Sequence, residues 1–174
     1  MRSFDLVDAS GVLHHLADPM AGWRTLLSLV RPGGFMRIGL YSELARRDVV
    51  AAQRFAAERG YRPTPDDIRR LRQELMETPL RGITKFHDFF STSECRDLLF
   101  HVQEHRHSIP QIGAFVRQHN LSFIGFELDA TLLQAYRTAF PNDPAMTNLE
   151  RWHSFESDRP DSFAGMYQFW VQRG

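Results

Sequence analysis

The most recognisable chemical spacing in the chain belongs to two histidines and a glutamate near its middle. His101, Glu104 and His105 spell the pattern H-x-x-E-H, which in zinc hydrolases places two imidazole ligands on one helical face beside a glutamate that activates water. A match over five residues is a weak signal, and the pattern supplies only two of the three protein ligands that a catalytic zinc needs. We therefore predict no metal site and rank a zinc hydrolase third among the functions considered.

Other candidates for chemistry are a pair of adjacent histidines, a tyrosine and a cysteine. His14 and His15 follow the first apolar segment, and Tyr41 closes the second. Histidine titrates near neutral pH, but both rings could equally close a turn or cap a helix. Tyr41 is more often a packed aromatic with a hydrated hydroxyl. Cys95 follows a helix-capping pattern, which favours a core residue over a nucleophile.

Composition narrows the classes of function. The 174 residues are 43% hydrophobic, enough for one core, and their formal net charge is zero, so no broad positive field attracts nucleic acid or anionic lipid. A single cysteine allows neither an internal disulfide nor a cysteine-rich zinc site. The sequence has no apolar run of about 18 residues and no signal-peptide charge order at its start. We expect a cytoplasmic chain whose partners include neither nucleic acid nor a membrane.

The elements that must position the first histidines form a strand–helix–strand unit. Phe4 to Ala9 is a short apolar run, typical of a strand covered on both faces. Asp18 and Pro19 can cap a helix that continues until Arg31-Pro32-Gly33-Gly34 stops it. Phe35 to Tyr41 then predicts a second strand, and a right-handed crossover makes the two strands parallel.

The remainder of the chain divides into a helical stretch and a second α/β stretch. Between Ser42 and Ile109, helices are predicted for three segments: Ala45 to Arg59, Pro65 to Met76, and one from Thr92. The later elements are a helix from Ile109 to His119, a strand from Leu121 to Leu128, helices near Thr131 to Phe140 and Asn148 to Phe155, and a strand from Phe163 to Val171. We predict a single α/β domain over residues 1–174 with a helical insertion at about 42–109.

These segments resemble class I S-adenosylmethionine-dependent methyltransferases. In that family a strand ends in a phrase like VLHHL, here residues 12–16, and a helix leads through a phrase like VRPGG, here residues 30–34, to the next strand. Residues 91–112, STSECRDLLFHVQEHRHSIPQI, closely resemble the methyltransferase domain that follows tetratricopeptide repeats in some bacterial proteins. The resemblance implies a Rossmann-like sheet whose last strand is antiparallel, and it assigns no metal to this segment.

The resemblance also implies that only part of the family's domain is present. Phe4 to Ala9 corresponds to the fourth strand of the family's sheet, so the chain resembles a truncated, C-terminal half. The glycine-rich G-x-G-x-G loop that approaches the cofactor, and the acidic residue that binds its ribose, belong to earlier strands. No G-x-G occurs in this sequence. We therefore expect a partial Rossmann-like methyltransferase sheet, from the fourth strand onward.

Six candidate site residues follow from this resemblance: Ala9, Ser10, Gly11 and His14 for binding S-adenosylmethionine, and His15 and Tyr41 for catalysis. The first three would lie at the carboxyl end of a parallel strand, facing the methionine portion of the cofactor. One histidine would orient the methyl acceptor or accept its proton, although methyl transfer can proceed by positioning alone.

The helical insertion would form a lid or a pocket wall for an organic or peptidic acceptor. Its aromatic and imidazole residues suit such an acceptor: Phe86, His87, Phe89, Phe90, Phe100 and His101. The phenylalanines could equally form the core of a small helical subdomain, and the sequence leaves both interpretations open.

The predicted function is the C-terminal portion of an S-adenosylmethionine-dependent methyltransferase, which acts on a small molecule or a protein side chain. It would carry the acceptor side of the site and be inactive alone, because the glycine-rich loop is absent. The alternative is a non-catalytic binding or assembly module derived from a methyltransferase. Phe4 to Ala9 would be a sheet edge without its neighbour, and it has no lysine or proline to discourage pairing. We therefore expect a homodimer or larger assembly through this edge.

Overall fold

The structure is a computed structural model that describes residues 3–101 and 104–174. It divides into two compact units. The first combines Met1–Ala45 with His105–Gly174, and the second is Arg46–Glu104. The second unit lies within the helical stretch expected at about 42–109.

The first unit begins with the expected pair of parallel strands. Strand β1 (Phe4–Ala9) lies beside β2 (Val30–Ser42), and helix α1 (Pro19–Ser28) connects them. Strand β2 starts five residues earlier than the predicted Phe35, and α1 ends at Ser28, before the Pro-Gly-Gly segment. Residues 32–34 lie in an irregular part of β2, where the register with β1 shifts. Proline and glycine end helices, but they are also accommodated at strand irregularities.

The sheet is completed by the last third of the chain. The elements are β3 (Arg106–His107), α5 (Ile109–Gln118), β4 (Leu121–Phe126), α6 (Ala130–Ala139), α7 (Leu149–Asp158) and β5 (Tyr167–Arg173). The strand order is β1-β2-β5-β4, and β3 pairs with the end of β2. Strand β5 is antiparallel to both of its neighbours. The prediction of a partial Rossmann-like sheet with an antiparallel last strand is confirmed.

One face of this sheet carries the core of the first unit. The alternating residues Met36, Ile38 and Leu40 of β2 are fully buried, as expected for the covered face of a strand. Trp23 of α1 stacks on Phe115 of α5, with ring centroids 3.9 Å apart. Trp23 also contacts Phe169 of β5, with ring centroids 5.7 Å apart, so this cluster packs α1 and α5 against the sheet.

The second unit is helical throughout its described elements. Its α-helices are α2 (Arg47–Glu58), α3 (Pro65–Glu77) and α4 (Thr92–Phe100), and two 3-10 helices, Pro79–Lys85 and His87–Phe90, lie between α3 and α4. Thr64 and Ser91 cap α3 and α4 through their hydroxyl oxygens, as the capping patterns predicted. Within the described residues, no helix is long and apolar enough to cross a membrane.

Candidate active site at the carboxyl end of the sheet

The turn after β1 is held by an aspartate. The Ser10 backbone N–H donates to Asp8 Oδ1 at 2.9 Å. This bond, with a further contribution from Arg37, lowers the pKa of Asp8, because both donors favour the charged carboxylate. Ala9 is buried in the core, so only its backbone is available to a ligand. Ser10 is half-buried and Gly11 is exposed.

This turn lies directly against β2. A Cβ added to Gly39 would come within 2.9 Å of the Gly11 nitrogen and of Ser10 Cα, so glycine is required at position 39. Gly11 itself has a φ of 75°, which favours glycine, and a Cβ there would meet no heavy atom within 4 Å. Ser10 Oγ is buried without a hydrogen-bond partner among the described residues. The turn thus combines open space with an unsatisfied polar atom.

His14 and Tyr41 are brought together at the same edge. His14 lies in a 3-10 turn, Leu13–His15, and is only 1% exposed. Its ring centroid is 4.0 Å from that of Tyr41 and 4.2 Å from that of His15. Tyr41 is half-buried and His15 is exposed, so His15 is the more accessible of the two imidazoles. The candidates named from sequence therefore share one region, although their roles remain predictions.

Sequence reasoning missed a segment that reaches this edge from the other side. The N–H of His105 donates to the His14 carbonyl at 2.9 Å. In β3, Arg106 lies opposite Tyr41 and His107 opposite Ser42. His107 is buried, and burial, followed by the nearby His105, lowers its pKa and favours the neutral imidazole. A two-residue strand is too short to show an alternation of apolar and polar residues, so β3 could not be predicted from the sequence.

A buried carboxylate anchors the end of β2. Glu156 of α7 is 1% exposed and accepts hydrogen bonds from Ser42 Oγ at 2.5 Å and from the Tyr167 hydroxyl at 2.7 and 2.8 Å. Ser42 Oγ in turn accepts from the Ala45 N–H at 3.0 Å. Burial raises the pKa of Glu156. The helical spacing of Glu156 with Trp152, on the inward face, was the available signal for this buried acid.

The H-x-x-E-H pattern does not form the helical face on which its zinc interpretation depends. Helix α4 ends at Phe100, His101 has extended backbone angles, and neither Glu104 nor His105 is helical. The two intervening residues, 102 and 103, lie outside the described residues. Glu104 forms an ion pair with Arg46, with 2.6 Å between Oε2 and Nη2 and both side chains 5% exposed. This pair joins the first and last residues of the second unit.

The aromatic residues of the second unit divide between core and surface. Phe86 and Phe89 are buried, which agrees with the subdomain-core interpretation, whereas Phe90, His87 and His101 are exposed. Phe100 is half-buried. The possible metal-donor atoms of His87, Asp88 and Glu94 lie within 4.8 Å of one another. All three side chains are exposed, so water competes with any ion for each donor.

The strand order and the antiparallel last strand define a partial Rossmann-like sheet, and solved structures share this fold. The chain is similar to PKMT2 from Rickettsia typhi, with a TM-score of 0.73 and 13% identity over 98% of this chain and 35% of that one. For PKMT2 in complex with AdoHcy, the TM-score is 0.62 and the identity 12%, over 99% of this chain and 36% of that one. Identities this low show the fold alone, which this chain shares with about a third of each PKMT2 chain.

A curated protein is also similar in sequence. "Uncharacterized protein syc1184_c" from Synechococcus sp. (strain ATCC 27144 / PCC 6301 / SAUG 1402/1) is 29% identical over an alignment of 141 residues, and the match covers 71% of this chain and 32% of that protein. No family model matches the chain. The chain spans about a third of the length of this relative and of each PKMT2 chain.

Proposed function

We propose that the chain is the C-terminal, acceptor-side portion of an S-adenosylmethionine-dependent methyltransferase. The main observation in support is that the Ser10–Gly11 turn, His14 and Tyr41 lie together at the carboxyl ends of parallel strands. Open α/β sheets bind ligands at this edge. The fold shared with PKMT2, one structure of which holds AdoHcy, supports this proposal. AdoHcy is the product that S-adenosylmethionine becomes when it loses its methyl group.

The residues present fit one part of the cofactor. The unsatisfied Ser10 Oγ and the open space beside Gly11 suit the polar methionine portion. When bound, S-adenosylmethionine supplies an electrophilic methyl group to a small molecule or a protein side chain. The packed His14–Tyr41 pair would fix the turn, and exposed His15 would orient the acceptor or take its proton.

The remaining part of the cofactor has no matching residues in this chain. Without a G-x-G loop, the backbone that would approach the nucleoside portion is lacking. We therefore expect the isolated chain to be inactive and to bind S-adenosylmethionine only weakly. Another polypeptide segment must supply the missing half of the site.

Cofactor titration followed by amide NMR tests this function. Millimolar S-adenosylmethionine should shift the amide signals of Ser10 and Gly11, and Gly39→Ala should abolish the shift by displacing the turn. Gly165→Ala is the matched control, because a Cβ there meets no atom within 4 Å. Micromolar binding by calorimetry would overturn the predicted loss of affinity. Unshifted turn signals at millimolar cofactor would overturn the proposed cofactor face.

The second candidate is a non-catalytic binding or assembly module. The close packing of His14 under Tyr41 favours it, because an imidazole that is 1% exposed has little access to substrate. Mass spectrometry of the protein from its source cells separates the two functions. Peptides that begin at Met1 would favour the module, whereas longer N-terminal peptides would favour the methyltransferase portion.

A further inference from the structure

Four side chains form a polar row across one face of the sheet, beginning beside the Ser10–Gly11 turn. Asp8 of β1 lies opposite Arg37 of β2, and Arg37 lies opposite Trp170 of β5. Residues directly opposite each other on neighbouring strands project from the same face. Glu127, the residue after β4, completes the row. The polar row therefore spans the sheet from β1 to the end of β4.

Arg37 lies at the centre of the polar row and binds two carboxylates. Its Nε and Nη2 donate to Glu127 Oε1 and Oε2 at 2.9 and 2.7 Å, and its Nη1 donates to Asp8 Oδ2 at 3.1 Å. Two parallel hydrogen bonds to one carboxylate fix the plane of the guanidinium. The bond from Arg37 holds the pKa of Glu127 below its usual range, so the pair is charged at neutral pH.

The far end of the polar row is anchored to β5. The Trp170 Nε1–H donates to Glu127 Oε1 at 2.6 Å, and the Glu127 N–H donates to the Gln168 carbonyl at 2.7 Å. Glu127 is thus held through both its backbone and its side chain. The guanidinium of Arg37 therefore has a fixed direction before it meets Asp8.

Asp8 carries this order to the turn. Its Oδ1 accepts the Ser10 N–H at 2.9 Å, and its Oδ2 accepts the bond from Arg37. The Asp8 side chain is 50% exposed, so packing alone does not hold it, whereas a partner on each oxygen confines it to one orientation. The position of the Ser10 N–H in turn determines where the buried, unsatisfied Ser10 Oγ lies.

A second arginine of β2 provides a contrast. Arg31 donates through Nε to Asp5 of β1, and their side chains are 50% and 83% exposed. An exposed ion pair with a single hydrogen bond contributes little to stability or order. Asp5 is four residues before the end of β1, a separation of about 13 Å along a strand. The pair therefore joins the same two strands as Arg37 does but lies away from the turn.

We propose that Arg37 is a positioning residue for the candidate cofactor site. Glu127 and Trp170 hold its guanidinium, Arg37 orients Asp8, and Asp8 holds the Ser10–Gly11 turn in the conformation that receives the ligand. A turn that is already ordered loses less conformational entropy on binding. That the ligand is the methionine portion of S-adenosylmethionine rests on the proposed function, whereas the ordering of the turn does not.

Amide hydrogen exchange measured by NMR tests the positioning role without any ligand. Arg37→Met should accelerate exchange of the Ser10 amide about tenfold, because the acceptor on Asp8 is no longer held in place. Arg31→Met is the matched control and should leave that rate unchanged. Circular dichroism establishes that each variant folds. An unchanged Ser10 rate in folded Arg37→Met, or equal acceleration by both variants, would overturn the proposal.

A double-mutant cycle separates this role from a general loss of stability. Glu127→Gln acts on Ser10 only through Arg37, so it should also accelerate Ser10 exchange and should add nothing to Arg37→Met. Arg37→Lys should restore part of the protection, because an ammonium reaches Asp8 but lacks the planar fork. The indole N–H signal of Trp170 should move in the Glu127 variant. Additive effects of the two substitutions would overturn the proposal.

A cofactor titration distinguishes failure of the positioning role from failure of the proposed function. Millimolar S-adenosylmethionine should shift the Gly11 amide signal in the wild type and in Arg31→Met, but not in Arg37→Met. A shift of wild-type size in Arg37→Met would overturn the positioning role. A wild type without a shift would overturn the proposed cofactor face, and the exchange rates of Ser10 would then still decide whether Arg37 orders the turn.

Discussion

The pKa values of two buried carboxylates in the first unit are shifted in opposite directions, although each carboxylate accepts a hydrogen bond from a tyrosine hydroxyl. Glu156 is bound by Tyr167, and Asp143 by Tyr136 at 2.6 Å. Burial raises the pKa of Glu156. Burial acts in the same direction on Asp143, but there the hydrogen bonds together outweigh it and lower the pKa.

The two side chains differ in depth of burial, since Glu156 is the more deeply buried, and in the kind of hydrogen-bond donor. Besides Tyr136, Asp143 accepts from the backbone N–H groups of Thr147 and Asn148, at 3.3 and 3.1 Å. Among the described residues, the hydrogen bonds to Glu156 come from hydroxyls. Hydroxyl groups rotate and also serve a neutral carboxylic acid, whereas backbone N–H groups can only donate and therefore favour the charged form. Asp143 fixes the loop before α7 as an anion, and Glu156, whose pKa is raised by burial, joins α7 to the end of β2.

The largest expected effect comes from Asp143→Asn. The amide replaces one acceptor oxygen with a donor, which leaves a backbone N–H or the Tyr136 hydroxyl unsatisfied. We expect a loss of about 2–3 kcal/mol in the free energy of unfolding, measured in urea at neutral pH. Asp129→Asn is the control, because Asp129 caps α6 at an exposed site and asparagine caps equally well. Equal losses for the two variants would contradict the role given to Asp143.

The dependence of the free energy of unfolding on pH in the acid range gives a second test of the role of Asp143. The folded pKa of Asp143 lies below its unfolded value near 3.8, so its contribution is present above that value. The contribution is lost as the pH falls through the folded pKa. Asp143→Asn should therefore flatten the loss of stability on acidification, and an unchanged acid limb would contradict the lowered pKa.

A smaller contrast is expected between the two tyrosines. Tyr167→Phe removes a donor from both oxygens of Glu156 and leaves Ser42 as its one hydrogen-bond donor among the described residues. Tyr136→Phe leaves Asp143 with two backbone donors. We expect a loss of about 1–2 kcal/mol for Tyr167→Phe and about half as much for Tyr136→Phe at neutral pH. Thermal and urea unfolding measure both, and a larger loss for Tyr136→Phe would reverse the comparison.

Local patterns predicted much of the fold. Apolar runs and capping residues located most of the helices and strands, and the VLHHL and VRPGG phrases indicated a methyltransferase-type sheet whose last strand is antiparallel. The misplaced boundaries have local causes: residues 32–34 bend β2 instead of preceding it, and Phe163 packs in the core before β5 begins.

The parts that were not predicted depend on contacts between distant residues. His107 reaches Ser42 across 65 positions of sequence through a two-residue strand, and Glu156 reaches the same serine from α7. Neither pairing leaves a periodic trace. The H-x-x-E-H pattern suggested a helical zinc site from local spacing alone. In the structure, α4 ends before the motif and Glu104 forms an ion pair with the distant Arg46. Chain topology decides such contacts, and local spacing does not.

The smallest expected effect on the free energy of unfolding is that of Glu156→Gln, and the direction in which this effect changes with pH tests the raised pKa of Glu156. Glutamine keeps an oxygen that can accept from Ser42 and Tyr167, so near pH 4 the variant should lie within about 1 kcal/mol of the wild type. The folded pKa of Glu156 lies above its unfolded value near 4.5. Its stabilising contribution is therefore complete below that value and is lost as the pH rises through the folded pKa.

Glutamine does not ionise, so the free energy of unfolding of the variant should rise relative to that of the wild type as the pH increases from about 4 to about 8. Urea unfolding across that range measures the difference. Glu150→Gln is the control for the loss of one negative charge, because Glu150 is exposed on the same helix. A stability difference that stays flat with pH, or that falls as the pH rises, would show that Glu156 is held as an anion like Asp143, and the contrast between hydroxyl and backbone donors would then fail.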